Sequence, residues 1–301
     1  MSQPTPAARI DAHQHLWRVA RGDYRWLRAD RPALAPIHRD FEPDDLQPLL
    51  QAHGVSRTVL VQAADSVAET EFMLQLATLN DWIAGVVGWV DLSQPASVGV
   101  LRRWAAHPKF KGVRPMLQDL PDHDWIATRP HPDVMACIAD LGLRFDALVQ
   151  PWHLSHLLRF LDRHPDLPVV VDHAAKPQLG TLDAAGGWRA DWAEPWRVGM
   201  TELAQRPGVH CKVSGLLTEC GGPARGGAAA GRVALQPVWD QLVSTFGPQR
   251  LIWGSDWPVI NLAADYAGWI DLSEAFIGTL PPDAQRGVWF DNARAFYGLS
   301  L

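Results

Sequence analysis

The run Asp11-Ala12-His13-Gln14-His15 sets two histidines at positions i and i+2. On a strand, that spacing points both imidazoles to the same side. Two neighbouring imidazoles can ligate one divalent cation or donate to a carbonyl or carboxylate. Far along the chain, Asp256 lies in WGSDWP, between Trp253 and Trp257. A carboxylate there can take a proton from water, ligate a metal, or do both. Asp172 and His173 are adjacent, so strict alternation sends only one of them to the side of the other groups. His173 is the expected one, because it completes a His-His-Asp cluster. Arg114, in KGVRP, carries a planar fork suited to a carbonyl or a ring hydroxyl. The structural alternatives are a coincidental HxH among 12 histidines, an Asp256 that caps a turn, and an Arg114 that pairs with a loop acid.

Chemistry needs these residues in one place, and the strand pattern says how. Eight β-branched or apolar runs recur: 9–15, 58–63, 84–91, 110–115, 144–150, 168–174, 209–215 and 250–257. Segments with helical spacing separate them, among them 70–79, 97–106, 133–141, 154–161 and 238–246. Strands that alternate with helices predict a parallel sheet, and eight repeats predict closure into a (β/α)8 TIM barrel of one domain, residues 1–301. An open doubly wound sheet is the alternative, weakened because no GxGxxG turn follows the first strand. The long connections 16–42, 116–130, 175–189 and 216–233 all follow strands. In a barrel they gather at the C-terminal face, where active sites of this fold are built. Strands one and eight are then neighbours, which places Asp256 beside His13 and His15. The glycine- and alanine-rich run 221–231 is a lid or a loop tip.

Composition excludes several classes. The chain has 301 residues, 27 basic and 33 acidic, for a formal charge of -6. Those charges are mixed along the sequence, so no basic stripe exists for nucleic acid. The start lacks a basic stretch followed by an apolar one, and no run reaches the ~18 apolar residues of a membrane span, so a cytoplasmic protein is expected. Three cysteines without CxxC spacing form neither a disulfide framework nor a thiolate zinc site. The sequence sets no oligomeric state. Fifteen tryptophans offer flat apolar faces and N–H donors that suit sugar rings, although most of them belong in a core.

Several blocks in chain order carry a resemblance: IDAHQHLW (10–17), KGVRPMLQD (111–119), QPWHL (150–154), VVVDHAAKP (169–177), CKVSGLLTE (211–219) and WGSDWPV (253–259). Together they resemble the amidohydrolase superfamily. The nearest branch is the metal-poor lactonases, which includes L-fuconolactonase- and L-rhamnonolactonase-like proteins and 2-pyrone-4,6-dicarboxylate lactonase. The resemblance implies that His13 and His15 lie in the site, that Asp256 is the general base and that His173 assists at the carbonyl. It departs from the metal-rich pattern: strand four offers Arg114 where a bridging carboxylated Lys or Glu would stand. At most one divalent ion, zinc or manganese, is expected, held by His13, His15 and Asp256 and not strictly required. Arg114 with protonated imidazoles is the alternative electrophile.

The expected substrate is a small sugar-derived lactone. Gln62, Gln118, Trp17 and Trp89 supply neutral hydrogen bonds and apolar faces for a polyol ring, and His153, just past Gln150, is grouped with them. A dicarboxylate lactone would call for more arginines at the mouth than Arg114. Two other functions fit the same residues: a metal-dependent decarboxylase of the same superfamily, and a barrel that binds sugar acids without chemistry.

Overall fold

A computed structural model describes residues 8–182, 186–222 and 228–300. Eight strands form: β1 Arg9–Gln14, β2 Val55–Val61, β3 Ile83–Gly88, β4 Phe110–Val113, β5 Arg144–Ala147, β6 Val169–Val171, β7 Val209–Val213 and β8 Leu251–Trp253. They lie in sequence order, and every neighbouring pair is parallel. Gln14 bridges Trp257 in parallel, and the His15 N–H donates to the Trp257 carbonyl at 2.7 Å, which joins β1 to the end of β8. The sheet is therefore the expected (β/α)8 barrel. A helix follows each strand: Pro43–Ala52, Val67–Leu79, Ser97–Ala105, Pro132–Asp140, Leu154–Arg163, Ala190–Ala204, Ala228–Phe246 and Tyr266–Ile277. Among the described residues no helix is long and apolar enough to cross a membrane.

Crossovers in a parallel sheet leave both faces covered, which is why the strands read as continuous apolar runs. Inside the barrel, Ile10, Ala12, Val59, Ala84, Val170 and Ile252 cluster with Phe296 and Tyr297 of the C-terminal helix Asn292–Tyr297, which plugs the end opposite the site. Strand β1 changes phase on the way up. Ile10 and Ala12 face this cluster, while Asp11 bonds Tyr266 of an outer helix at 3.1 Å. A register shift between Asp11 and Gln14 then brings His13, not Gln14, to the interior. A bulge does this because one unpaired residue reverses the alternation that follows it.

Buried tryptophans hold the strand ends, consistent with an indole N–H that must find an acceptor. Trp196 donates to the Ala174 carbonyl at 2.7 Å, and Trp269 to that of Gly254 at 2.9 Å. The helix expected at 238–246 begins earlier, at Ala228, and shortens the preceding connection. Of the glycine-rich run 221–231, residues 223–227 lie outside the described residues.

Candidate active site

His13 and His15 share a side as their spacing requires, with ring centroids 4.9 Å apart. Asp256 stands opposite in left-handed backbone, φ 57°, with its N–H donating to the His13 carbonyl at 2.8 Å. Its Oδ1 lies 3.3 Å from His15 Nε2, 3.8 Å from His13 Nε2 and 3.9 Å from His173 Nε2. One carboxylate oxygen thus faces three imidazoles.

Alternation does not decide between Asp172 and His173, because β6 ends at Val171 and the chain turns left-handed from His173 onward. Both side chains reach the interior, which corrects the expectation that only one would. His173 Nδ1 lies 2.9 Å from the Ser214 hydroxyl, which can donate or accept. Asp172 lies beneath, 3.3 Å from Arg114 Nη1 and 3.1 Å from Lys212 Nζ.

Burial sets the charges. It lowers His173 to about 4, pulls His15 down against the raising effect of Asp256, and with the Lys212 charge drives His13 well below the ordinary histidine value. Cationic donors sit at both nitrogens of His13, Lys212 Nζ 3.1 Å from Nδ1 and Arg114 Nη1 3.3 Å from Nε2, and Asp172 Oδ1 lies 3.4 Å from Nδ1. Burial thus opposes protonation of all three imidazoles, and Arg114 and Lys212 are the cationic side chains beside them. Burial also opposes ionisation of Asp256, but the imidazoles around it, His173 first, more than offset this and hold the carboxyl well below its usual range.

His15 Nδ1 lies 2.7 Å from the Val61 carbonyl and must donate to it, so in the neutral ring Nε2 carries the lone pair. Two acceptors, His15 Nε2 and Asp256 Oδ1, then face each other at 3.3 Å. A shared proton or a cation resolves such a contact. His13, His173 and Asp256 each offer one ligand atom, all within 4.8 Å of one another, a donor set suited to one divalent cation. His173 replaces His15 in this group, because Nε2 of His173 points at the space His13 and Asp256 share. Arg114 directly follows strand β4, which offers a second ion no bridging ligand.

A cavity of about 160 Å³ opens above this cluster. His15, Arg114, Gln118, His173, Lys176 and Asp256 form its polar side, and Trp26, Met116, Leu148 and Val259 its apolar side. Four residues expected at the substrate lie elsewhere. Gln62 is fully buried beneath Arg114, its side-chain amide donating to the Arg114 carbonyl at 2.7 Å while its backbone carbonyl accepts from Nη2 of the guanidinium. Trp17 is buried behind His15, its N–H bonded to the Arg39 carbonyl at 2.8 Å. Trp89 lines a separate cavity with Leu92, Pro115 and Trp125. His153 caps its own turn, its Nδ1 accepting the Gln150 N–H at 3.1 Å. The sequence patterns do not point to Trp26, Lys176, Asp146 or Lys212, and alternation sets Asp172 aside in favour of His173. The signal for Asp146 and Lys212 was a charge in the middle of an apolar strand run, which in a barrel must find a partner across the interior.

Gly215 makes room for the cluster. It adopts φ +62°, and a Cβ there would lie 2.5 Å from His173 Nδ1 and 2.9 Å from Asp256 Oδ2. Gly215→Ala is expected to displace both side chains and lower kcat/KM by about 10²-fold, the scale of a 1 Å misplacement. Steady-state kinetics with a thermal melt checks this, and wild-type kinetics in a folded variant would show that the site yields without cost.

The sequence profile of the amidohydrolase family matches residues 10–299. An L-fucono-1,5-lactonase of Burkholderia ambifaria is 44% identical over 297 residues, which cover 96% of this chain and 95% of that protein. A second L-fucono-1,5-lactonase, from Burkholderia multivorans, is 38% identical over 298 residues, 97% of each chain. The crystal structure of an amidohydrolase from Burkholderia multivorans with bound zinc superposes with a TM-score of 0.86 at 35% identity, covering 98% of this chain and all of that one. With this barrel, this cluster at its mouth and a profile match spanning nearly every residue, the chain belongs to the amidohydrolase family.

Proposed function

We propose that the chain hydrolyses a sugar-derived lactone, an aldonolactone such as L-fucono-1,5-lactone, to the aldonic acid. The observation that carries this reading is Asp256, a buried carboxylate with three imidazoles within 3.9 Å at the foot of a small cavity that has a polar and an apolar side. The similarity to two L-fucono-1,5-lactonases supports the substrate class.

Asp256 accepts a proton from water as the water oxygen adds to the lactone carbonyl carbon. Arg114 and His173 face the oxyanion that forms, and preorganised donors in a water-poor site stabilise such charge strongly. The ring C–O bond then breaks, and Asp256 returns its proton to the departing ring oxygen. One group that serves as base and then acid suits a reversible ring opening. Gln62 keeps Arg114 aimed, and Gln118 and the face of Trp26 border the ring. His13, His173 and Asp256 would hold a divalent ion, with His15 beside them. Such an ion supplies Lewis acidity, making water a better nucleophile source and a carbonyl more electrophilic.

Aldonolactones assayed by proton release, with and without chelator, test both parts. Acid release without CO2 is expected, with no more than one divalent ion per chain and activity that falls only in part on chelation. A chain that turned over no aldonolactone would overturn the lactonase reading. Two ions per chain would contradict the argument from Arg114, and complete, metal-reversible loss would assign the electrophilic role to the ion.

A further inference from the structure

The turn after β6 has four successive non-glycine residues in the left-handed region: His173 at φ 52°, Ala174 at 47°, Ala175 at 59° and Lys176 at 49°. L-residues visit this region singly and not in runs. A run of this kind persists only where its surroundings enforce it, and such strain gathers at functional sites. Here the surroundings do enforce it. Ala174 and Ala175 are fully buried, Trp196 donates to the Ala174 carbonyl at 2.7 Å, and the Lys176 N–H closes the turn onto the His173 carbonyl at 2.8 Å.

The turn brings its two ends to one face. His173 and Lys176 both line the cavity, whereas the two alanines between them do not. Lys176 Nζ is steadied 3.5 Å from Glu219, past the end of β7. The cavity thus presents two cations, Arg114 and Lys176, against the single carboxylate of Asp256. Arg114 is already engaged by Asp172 and by the Gln62 carbonyl. A lactone is neutral and offers the Lys176 ammonium no anion beyond Glu219. Its ring-opened product carries a carboxylate on the former carbonyl carbon.

We propose that Lys176 is a specificity-determining residue that binds this carboxylate, so that the site recognises the aldonate anion as well as its lactone. The proposal rests on the lactonase reading. The left-handed turn is the device that delivers the ammonium beside His173, and the aldonate is held in the pose from which the reverse ring closure starts.

Calorimetric titration of the wild type, Lys176→Gln and Lys176→Arg with L-fuconate, beside lactone kinetics on the same three proteins, tests it. Lys176→Gln is expected to weaken L-fuconate binding by about tenfold or more, the scale of a lost charge-assisted hydrogen bond. KM for the lactone should change less than the L-fuconate affinity, product inhibition should be relieved, and Lys176→Arg should restore most of the affinity. Equal L-fuconate affinity in wild type and Lys176→Gln overturns the proposal, as does wild type that binds no L-fuconate. Parallel losses for lactone and acid also overturn it, because Lys176 would then touch a group common to both. Wild type that binds L-fuconate through Lys176 yet opens no lactone would sink the lactonase reading and leave the anion site standing.

Discussion

Asp256→Asn is expected to lower kcat by about 10²–10⁴-fold, the contribution of a positioned general base, while the protein stays folded. The amide keeps the carboxylate's shape but cannot accept a proton at neutral pH. The backbone argues for an intact fold, because Asp256 sits at φ 57° and asparagine is among the few residues that tolerate that conformation well. Its main-chain bonds, N–H to the His13 carbonyl at 2.8 Å and carbonyl to the Ile260 N–H at 2.9 Å, do not involve the side chain. Kinetics and a thermal melt on one preparation separate the outcomes. Near-wild-type kcat would reduce Asp256 to a structural role and end the mechanism. A large loss of kcat with KM little changed would place its contribution in the transition state.

The barrel was legible because its signals are redundant. Eight apolar runs, each followed by a polar connection, allow few topologies, and small errors at their ends do not alter the sheet. His13, His15, Arg114, His173 and Asp256 were legible for a related reason: each stands at a strand's C-terminal end, where this fold puts chemistry. Asp172 was misjudged because alternation holds only while the strand lasts, and β6 stops one residue short of it. The HxH pair kept its common side through a phase change in β1 that no spacing rule foretells.

The substrate side was less legible because polarity does not say which way a side chain faces. Gln62 lies inside the barrel, but its amide nitrogen is engaged by the Arg114 carbonyl and only its Oε1 is left without a partner among the described residues. Trp17 and Trp26 lie on the same connection with the same chemistry. Packing alone distinguishes them: Trp17 is wedged against Phe41 at 5.5 Å, while the N–H of Trp26 is tied to the Ala63 carbonyl at 2.7 Å and its face borders the cavity. Lys176 could not be placed at all without the left-handed turn, since an extended or right-handed continuation sends it elsewhere.

The second large effect belongs to Lys212, fully buried between β1, β5 and β6. Its ammonium lies 2.5 Å from Asp146, 3.1 Å from Asp172 and 3.1 Å from His13 Nδ1. Lys212→Met is expected to destabilise the fold by about 3–5 kcal/mol, because removing one partner leaves buried charge uncompensated. The pH dependence carries the sign. Burial raises Asp146 to about 6 even with Lys212 opposing it, so the folded chain holds the Asp146 proton at pH values where the unfolded chain has released it. A group of that kind costs stability as pH rises from its unfolded value toward its folded one. Without the ammonium, Asp146 moves further up and Asp172 loses a cation that holds it down. The deficit of Lys212→Met relative to wild type should therefore be smallest near pH 4 to 5 and widen toward neutrality, and adding Asp146→Asn should recover part of it. Denaturant melts across that range check the prediction. A deficit that stays constant with pH would mean that Lys212 supports the barrel by packing and not by its charge.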